Sequence, residues 1–257
     1  MHRKKAYRSI RKHGAGIRQS VSVSAFFDED DVHHFRTHAK KLRALLRWLG
    51  KDERTLPPSF KEIYRISGQL RDVQVLLKSM EDRREDYPAF AAWLRENASR
   101  LQQLWDDKYD PAVVRRLERR LREPKLKKPT AGRLQSFFNQ RVGKIESIVF
   151  LPAPADEDLH DIRKELKDAY FVYAWGQKND CAGGNDQMPA ILQQLGERCG
   201  EFNDRRIALV LLAAYLQQEQ EPDAHKAAEA LREHWEEERL SCKRALLKDL
   251  RAFAENT

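Results

Sequence analysis

The sequence predicts an all-α protein, and three observations lead there. Apolar residues recur at three- and four-residue steps through most of the chain, only 11 glycines occur in 257 residues, and no run alternates apolar and polar side chains as a half-buried strand does. A hydrophobic fraction of 41% beside a charged fraction of 34% provides enough apolar surface to offset chain entropy, which excludes a disordered chain. No stretch approaches the roughly 20 apolar residues needed to span a bilayer, and the basic N-terminus leads into no signal-like apolar core. Cys181, Cys199 and Cys242 are odd in number and far apart, the pattern of reduced thiols in a cytoplasmic protein.

Taken in order, residues 2–20 form a basic helix that Gly14 and Gly16 weaken or bend. The acidic residues 28–31 supply a cap and first-turn negative charge for a second helix over 32–49. Pro57, Pro58 and Ser59 open a third, whose apolar face carries Ile63, Ile66, Leu70, Val73, Leu76 and Leu77 to about residue 80. A fourth stretch, 88–121, carries Trp93, Leu101, Trp105, Val114 and Leu117 and is kinked at Pro111. Residues 123–130 hold Pro124, Pro129 and three lysines and read as a linker. Helices over 131–149, 157–177, 188–219 and 223–254 follow, broken at Pro152 and Pro154, at 183–186, and at Glu221-Pro222. The expected organisation is therefore a four-helix half, 1–122, and a second, 131–257.

The net charge of +8 is not spread along the chain. Residues 1–54 hold 14 Lys and Arg against 6 Asp and Glu, and the remainder holds 34 of each. Within that basic fifth, at roughly 100° per residue, His33, Arg36, Lys40, Arg43 and Arg47 share one narrow arc of the second helix. Phe35, Leu42, Leu45, Leu46 and Leu49 share another, and His38 falls with them as a core histidine. Solvation requires polarity, not one sign of charge, so a ladder of cations points to a polyanion.

The ladder has a counterpart. Val32-His33-x-x-Arg36-x-x-x-Lys40 recurs as Leu159-His160-x-x-Arg163-x-x-x-Lys167, and Gly68-x-Leu70-x-Asp72 recurs as Gly200-x-Phe202-x-Asp204 in the helix that follows. Two motifs in matched helices argue for internal duplication, giving two four-helix bundles about a pseudo-two-fold axis near the His-bearing helices. An H-x-x-R-x-x-x-K/R helix followed by a G-x-L/F-x-D helix, once per half, resembles the conserved-histidine α-helical (CHAD) family over essentially the whole chain. The resemblance implies an all-helical fold and non-catalytic binding of inorganic polyphosphate. A polyphosphate-metabolising enzyme or a cytoplasmic polyphosphate granule is then the implied partner, with no cofactor and no metal. Its ligand-facing positions fall on His33, Arg36, Lys40, Lys41 and Arg43, and on His160, Arg163 and Lys167. Lysines at 40 and 41 stand where the family usually has arginine, and Asp168 stands at a usually basic position, so a lopsided site led by the first half is expected.

Arg47, with Arg8, Arg11 and Arg18 on the first helix and Arg133, Arg141 and Lys144 on its counterpart, would widen the basic track. Asp72 and Asp204 are expected to fix a motif arginine rather than touch an anion, and Gly68 and Gly200 to allow close helix crossing. Two other chemistries have handles. Glu157-x-x-His160 is half of a ferritin-like metal motif, which needs a second E-x-x-H that the sequence lacks. The His160-Asp161 dipeptide could serve a metal-dependent phosphohydrolase, yet Arg163 and Lys167 one and two turns on would repel a divalent cation. RNA shares the counterion physics of polyphosphate, but no helix-turn-helix, zinc finger or aromatic stacking platform is present, so nucleic acid is the less favoured ligand. A helical scaffold whose basic rim meets an acidic partner is a third.

Overall fold

The computed structural model describes residues 2–21, 28–51, 56–122, 125–181 and 187–256, so the break expected at 183–186 and the first two linker residues lie outside the described residues. The described residues form an all-α fold of nine helices: α1 (His2–Ser20), α2 (Glu29–Trp48), α3 (Pro58–Ser79), α4 (Pro88–Lys108), α5 (Pro111–Arg122), α6 (Ala131–Val149), α7 (Asp156–Lys178), α8 (Met188–Leu216) and α9 (Pro222–Glu255).

Their starts are written in local chemistry. The Asp28 carboxylate accepts from the Asp31 amide at 2.7 Å at the head of α2, and the Thr130 hydroxyl accepts from the Arg133 amide at 3.2 Å at the head of α6. Prolines occupy the first turn of α3, α4, α8 and α9, where a missing amide hydrogen costs nothing. The single kinked helix expected over 88–121 is in fact two. Pro111 cannot continue the amide ladder, so α4 ends at Lys108 and α5 starts at Pro111, with Asp110 accepting from the Ala112 amide at 2.7 Å. The expected bend in α1 is absent for the opposite reason. Gly14 and Gly16 sit inside an unbroken helix and admit neighbours: a Cβ at Gly14 would meet Leu121 at 3.4 Å, and one at Gly16 would fall within 2.4 Å of the His38 ring. That ring is bonded to His13, Nδ1 to Nδ1, at 3.1 Å.

Packing follows chain order, with α1 on α2, α2 on α3 and α3 on α4, while α5 lies against α1 and α3. Helices α6 to α9 pack the same way and close on themselves, since α6 also meets α9. Across the middle, α2 lies on α7 and α3 on α8. Trp48 and Trp175 meet there with ring centroids 5.0 Å apart, and Trp175 donates to the Ser9 hydroxyl at 2.8 Å. The linker is fastened to the end of α2, the Lys127 amide donating to the Leu49 carbonyl at 3.0 Å beside Gly50. Gly50 has φ of +78° and a Cβ there would meet the Lys127 stem at 2.6 Å, so only glycine fits. The apolar arc of α2 is buried as its periodicity requires, with Phe35, Leu42 and Leu49 fully inside, and this fixes which way its cations face.

Candidate functional site

Burying one arc of α2 turns the other toward α7, and the two helices wall a groove of about 760 Å³ whose remaining wall is α6. Nine cations line it: Arg36, Lys40, Arg43 and Arg47 of α2, Arg141 and Lys144 of α6, and Arg163, Lys164 and Lys167 of α7. Three carboxylates, Asp161, Glu165 and Asp168, line it too.

Those carboxylates are not spread evenly. Asp168, only 6% exposed, takes Arg47 with both oxygens, from Nε at 2.6 Å and from Nη2 at 2.5 Å. Glu165 accepts from Arg141 at 2.7 Å and from Lys144 at 3.1 Å, and Arg141 also stacks on the Phe137 ring at 4.3 Å. Asp161 pairs with Lys164 at 2.5 Å. Arg36, Lys40, Arg163 and Lys167 form no ion pair among the described residues, although they converge from facing helices.

Of the four, Arg36 is held by neutral groups. Arg36 donates through Nη1 to the Tyr64 carbonyl at 3.0 Å and the Ser67 hydroxyl at 3.3 Å, with its guanidinium 4.9 Å from the centroid of the Tyr64 ring. Arg43 lies 5.0 Å from the same centroid. Burial pushes the Lys40 ammonium down to about 7, helped by the positive charges of Arg36, Arg163 and Lys167 and opposed by Asp72. Lys167 is shifted down by burial first and then by Arg163. Such crowding of like charge away from water is a cost that an incoming anion would relieve.

The histidines part company. His160 lines the groove, and its Nδ1 lies 2.9 Å from the Asn203 Oδ1. That oxygen can only accept, so Nδ1 carries the proton and Nε2 presents a lone pair until the ring is protonated. Burial holds its pKa below the ordinary value, with the Asn203 bond opposing. His33 is exposed at the second turn of α2 and does not line the groove. Arg71 stands at the motif position corresponding to Asn203, and its guanidinium goes to Glu29 at 2.7 Å, so the His33 ring has no asparagine anchor and its Nε2 lies instead 3.5 Å from the Thr37 hydroxyl.

Three further expectations are corrected. Asp72 and Asp204 make no ion pair with Arg36 or Arg163 among the described residues; they line a separate cleft between α3 and α8, and the arginine rotamer is set by Tyr64 and Ser67. Both carboxyls are raised by burial, Asp72 to about 6, with the charge of Arg36 opposing at Asp72 and that of Arg163 opposing at Asp204, while Asp204 adds to the shift at Asp72. Arg8, Arg11 and Arg18 do not reach the groove either. Arg8 is exposed on α1, Arg11 donates to the Arg122 carbonyl at 3.4 Å, and Arg18 pairs with Glu118 at 3.1 Å, because α1 turns that side to α5. Lys41 sits beside the groove, its Nζ 5.7 Å from the centre of the Phe171 ring. The lopsidedness also changes: the acid at 168 cancels Arg47 of the first half, leaving Arg36 and Lys40 from α2 facing Arg163 and Lys167 from α7.

The motif glycines differ. A Cβ at Gly68 would lie 2.7 Å from Arg36 Nη1, whereas one at Gly200 would lie an ordinary 4.0 Å from Arg163. Gly68→Ala gains about 1 kcal/mol of helix propensity and loses a charged hydrogen bond worth ~1.5 kcal/mol as Arg36 is displaced, so net stability should move by less than about 1 kcal/mol. Gly200→Ala keeps the propensity gain and should stabilise by about 1 kcal/mol; urea unfolding of both variants measures the contrast.

The fold has counterparts of known structure. A crystal structure of the CHAD domain from the plant Ricinus communis superposes with a TM-score of 0.72 at 17% identity, covering 98% of this chain and 88% of that one. PptA from Streptomyces chartreusis superposes with a TM-score of 0.72 at 11% identity, covering 96% of this chain and 98% of that one. No curated protein matches the chain in sequence. The CHAD domain family profile matches residues 3–171, which include α2, α3 and all three groove cations of α7, and the chain therefore belongs to the CHAD domain family.

Proposed function

We propose that the protein binds inorganic polyphosphate in the α2–α7 groove and does so without catalysis. The observation that carries this reading is the convergence of Arg36, Lys40, Arg163 and Lys167, four cations from two helices that form no ion pair among the described residues, in one trough. A chain with about one negative charge per phosphate supplies the missing counter-charge at several points at once, and the two arginines can each grip two oxygens. Membership of the CHAD family supports the same reading. No described helix is long and apolar enough to cross a membrane.

The test is a titration with labelled long-chain polyphosphate at several salt concentrations, followed by competition with RNA and orthophosphate. Binding should weaken with salt along a log–log slope near −3, from about 0.7 for each of the four cations. Displacement by RNA at equal phosphate concentration would defeat the reading. Orthophosphate release from tripolyphosphate, with or without magnesium, should stay at the buffer background.

Binding should also take up protons. In the free protein Lys40 titrates near 7, and a bound anion raises that value toward the ordinary 10.5. Between those limits the free protein has lost the proton and the complex has kept it, so affinity falls as pH rises above 7, while below 7 Lys40 adds no dependence. Calorimetry at pH 8 in two buffers of different ionisation enthalpy should report uptake of a proton fraction; none would remove Lys40 from the site. For folding without ligand the sign reverses, because the unfolded chain binds more protons between about 7 and 10.5, so Lys40 makes stability rise with pH across that window.

A further inference from the structure

One end of the groove already holds anions. Arg47 presents two guanidinium nitrogens to two oxygens of Asp168, the same bidentate geometry that it would offer a phosphate, and Glu165 bridges Arg141 and Lys144. Asp168 also lies 4.0 Å from Arg141. The three cations at this end therefore face two carboxylates that line the same groove, while Arg36, Lys40, Arg163 and Lys167 form no such pairs. A phosphate chain entering this end meets fixed negative charge and finds the forks already occupied.

We infer that Asp168 and Glu165 are built-in competitors of the ligand, closing one end of the groove so that a phosphate chain is engaged over the unpaired cluster and turned away beyond it. The inference rests on the polyphosphate reading above. Two consequences set it apart from a purely architectural ion pair. Carboxylates that merely positioned Arg47 and Arg141 for phosphate would weaken binding when neutralised, whereas competitors strengthen it. The gain must also depend on chain length, because only a ligand reaching past the central cluster can use the cations that are released.

The experiment compares wild type, Asp168→Asn and Glu165→Gln for binding of tripolyphosphate and of long-chain polyphosphate across a salt series. Each substitution should tighten long-chain binding roughly tenfold, as expected for one released charge-assisted contact, steepen its salt slope by about 0.7 per cation released, and leave tripolyphosphate nearly unchanged. Weakened or unchanged long-chain binding overturns the inference, and so does equal tightening of both ligands, which would be a general charge effect. Glu165, with 18% of its side chain exposed, decides the matter alone if the more buried Asp168→Asn protein fails to fold. A wild-type protein that binds no long-chain polyphosphate refutes the proposed function instead, a result distinguishable from any change between variants.

Discussion

Replacing Arg163 and Lys167 together by alanine is expected to weaken long-chain polyphosphate binding about a hundredfold, and replacing Arg36 and Lys40 together should cost the same factor. Each pair removes two charge-assisted contacts at roughly 1.5 kcal/mol apiece, and about 3 kcal/mol corresponds to that factor. Each should also flatten the salt slope by about 1.4, from two cations at ~0.7 each. The equality is the informative part. A count of charge along the chain favours the first half, but charge binds a ligand only where it is unspent, and Asp168 spends Arg47. Arg36 has a structural tie to Tyr64 as well, so urea unfolding must accompany the titration to separate folding from affinity. A tenfold or larger difference between the two pairs, after that correction, would restore the lopsided site and contradict the groove as described.

How much of this could be read from the residues alone divides along sequence separation. Helices were legible because periodicity and capping are local: Asp28, Thr130 and the first-turn prolines act within one turn of themselves. The cationic arc of α2 was legible for the same reason, and so was the second copy on α7. A lone proline such as Pro111 within an apolar-periodic stretch permits either a bend or a break, and packing of α5 against α1 and α3 decides for the break. Asp168 could be seen as an exception to a pattern, but its partner Arg47 is 121 residues away, and nothing local links them. Tyr64 and Ser67, which hold the motif arginine in place of Asp72, carry no charge signature that marks them in the sequence. His33 shows the reverse error. Its motif spacing matches His160, yet Arg71 stands where Asn203 would anchor the ring, and this one difference in the third-helix motif was visible in the sequence.

Phe35→Ala and Phe90→Ala should each destabilise the protein by about 3–5 kcal/mol, the range for emptying a buried aromatic site and a large share of the ~5–15 kcal/mol that holds a domain together. Both side chains are essentially buried, 0% and 2% exposed. They should nevertheless differ in ligand affinity. Phe35 packs against Phe60, Tyr64 and Trp105, with its centroid 6.4 Å from that of Tyr64, and Tyr64 supplies both the carbonyl that fixes Arg36 and the ring on which Arg36 and Arg43 lie. Emptying the Phe35 site therefore releases the residue that aims two groove arginines. Phe90 packs against Trp93, Tyr215 and Trp235, where α4 meets α8 and α9, and none of these lines the groove. Under conditions where both variants remain folded, Phe35→Ala should bind polyphosphate roughly tenfold more weakly than wild type, the factor for one misplaced charged contact, and Phe90→Ala should bind as wild type does. Equal affinities for the two variants would mean that the arginines hold their positions without Tyr64, and the route from core packing to groove through that one side chain would be lost.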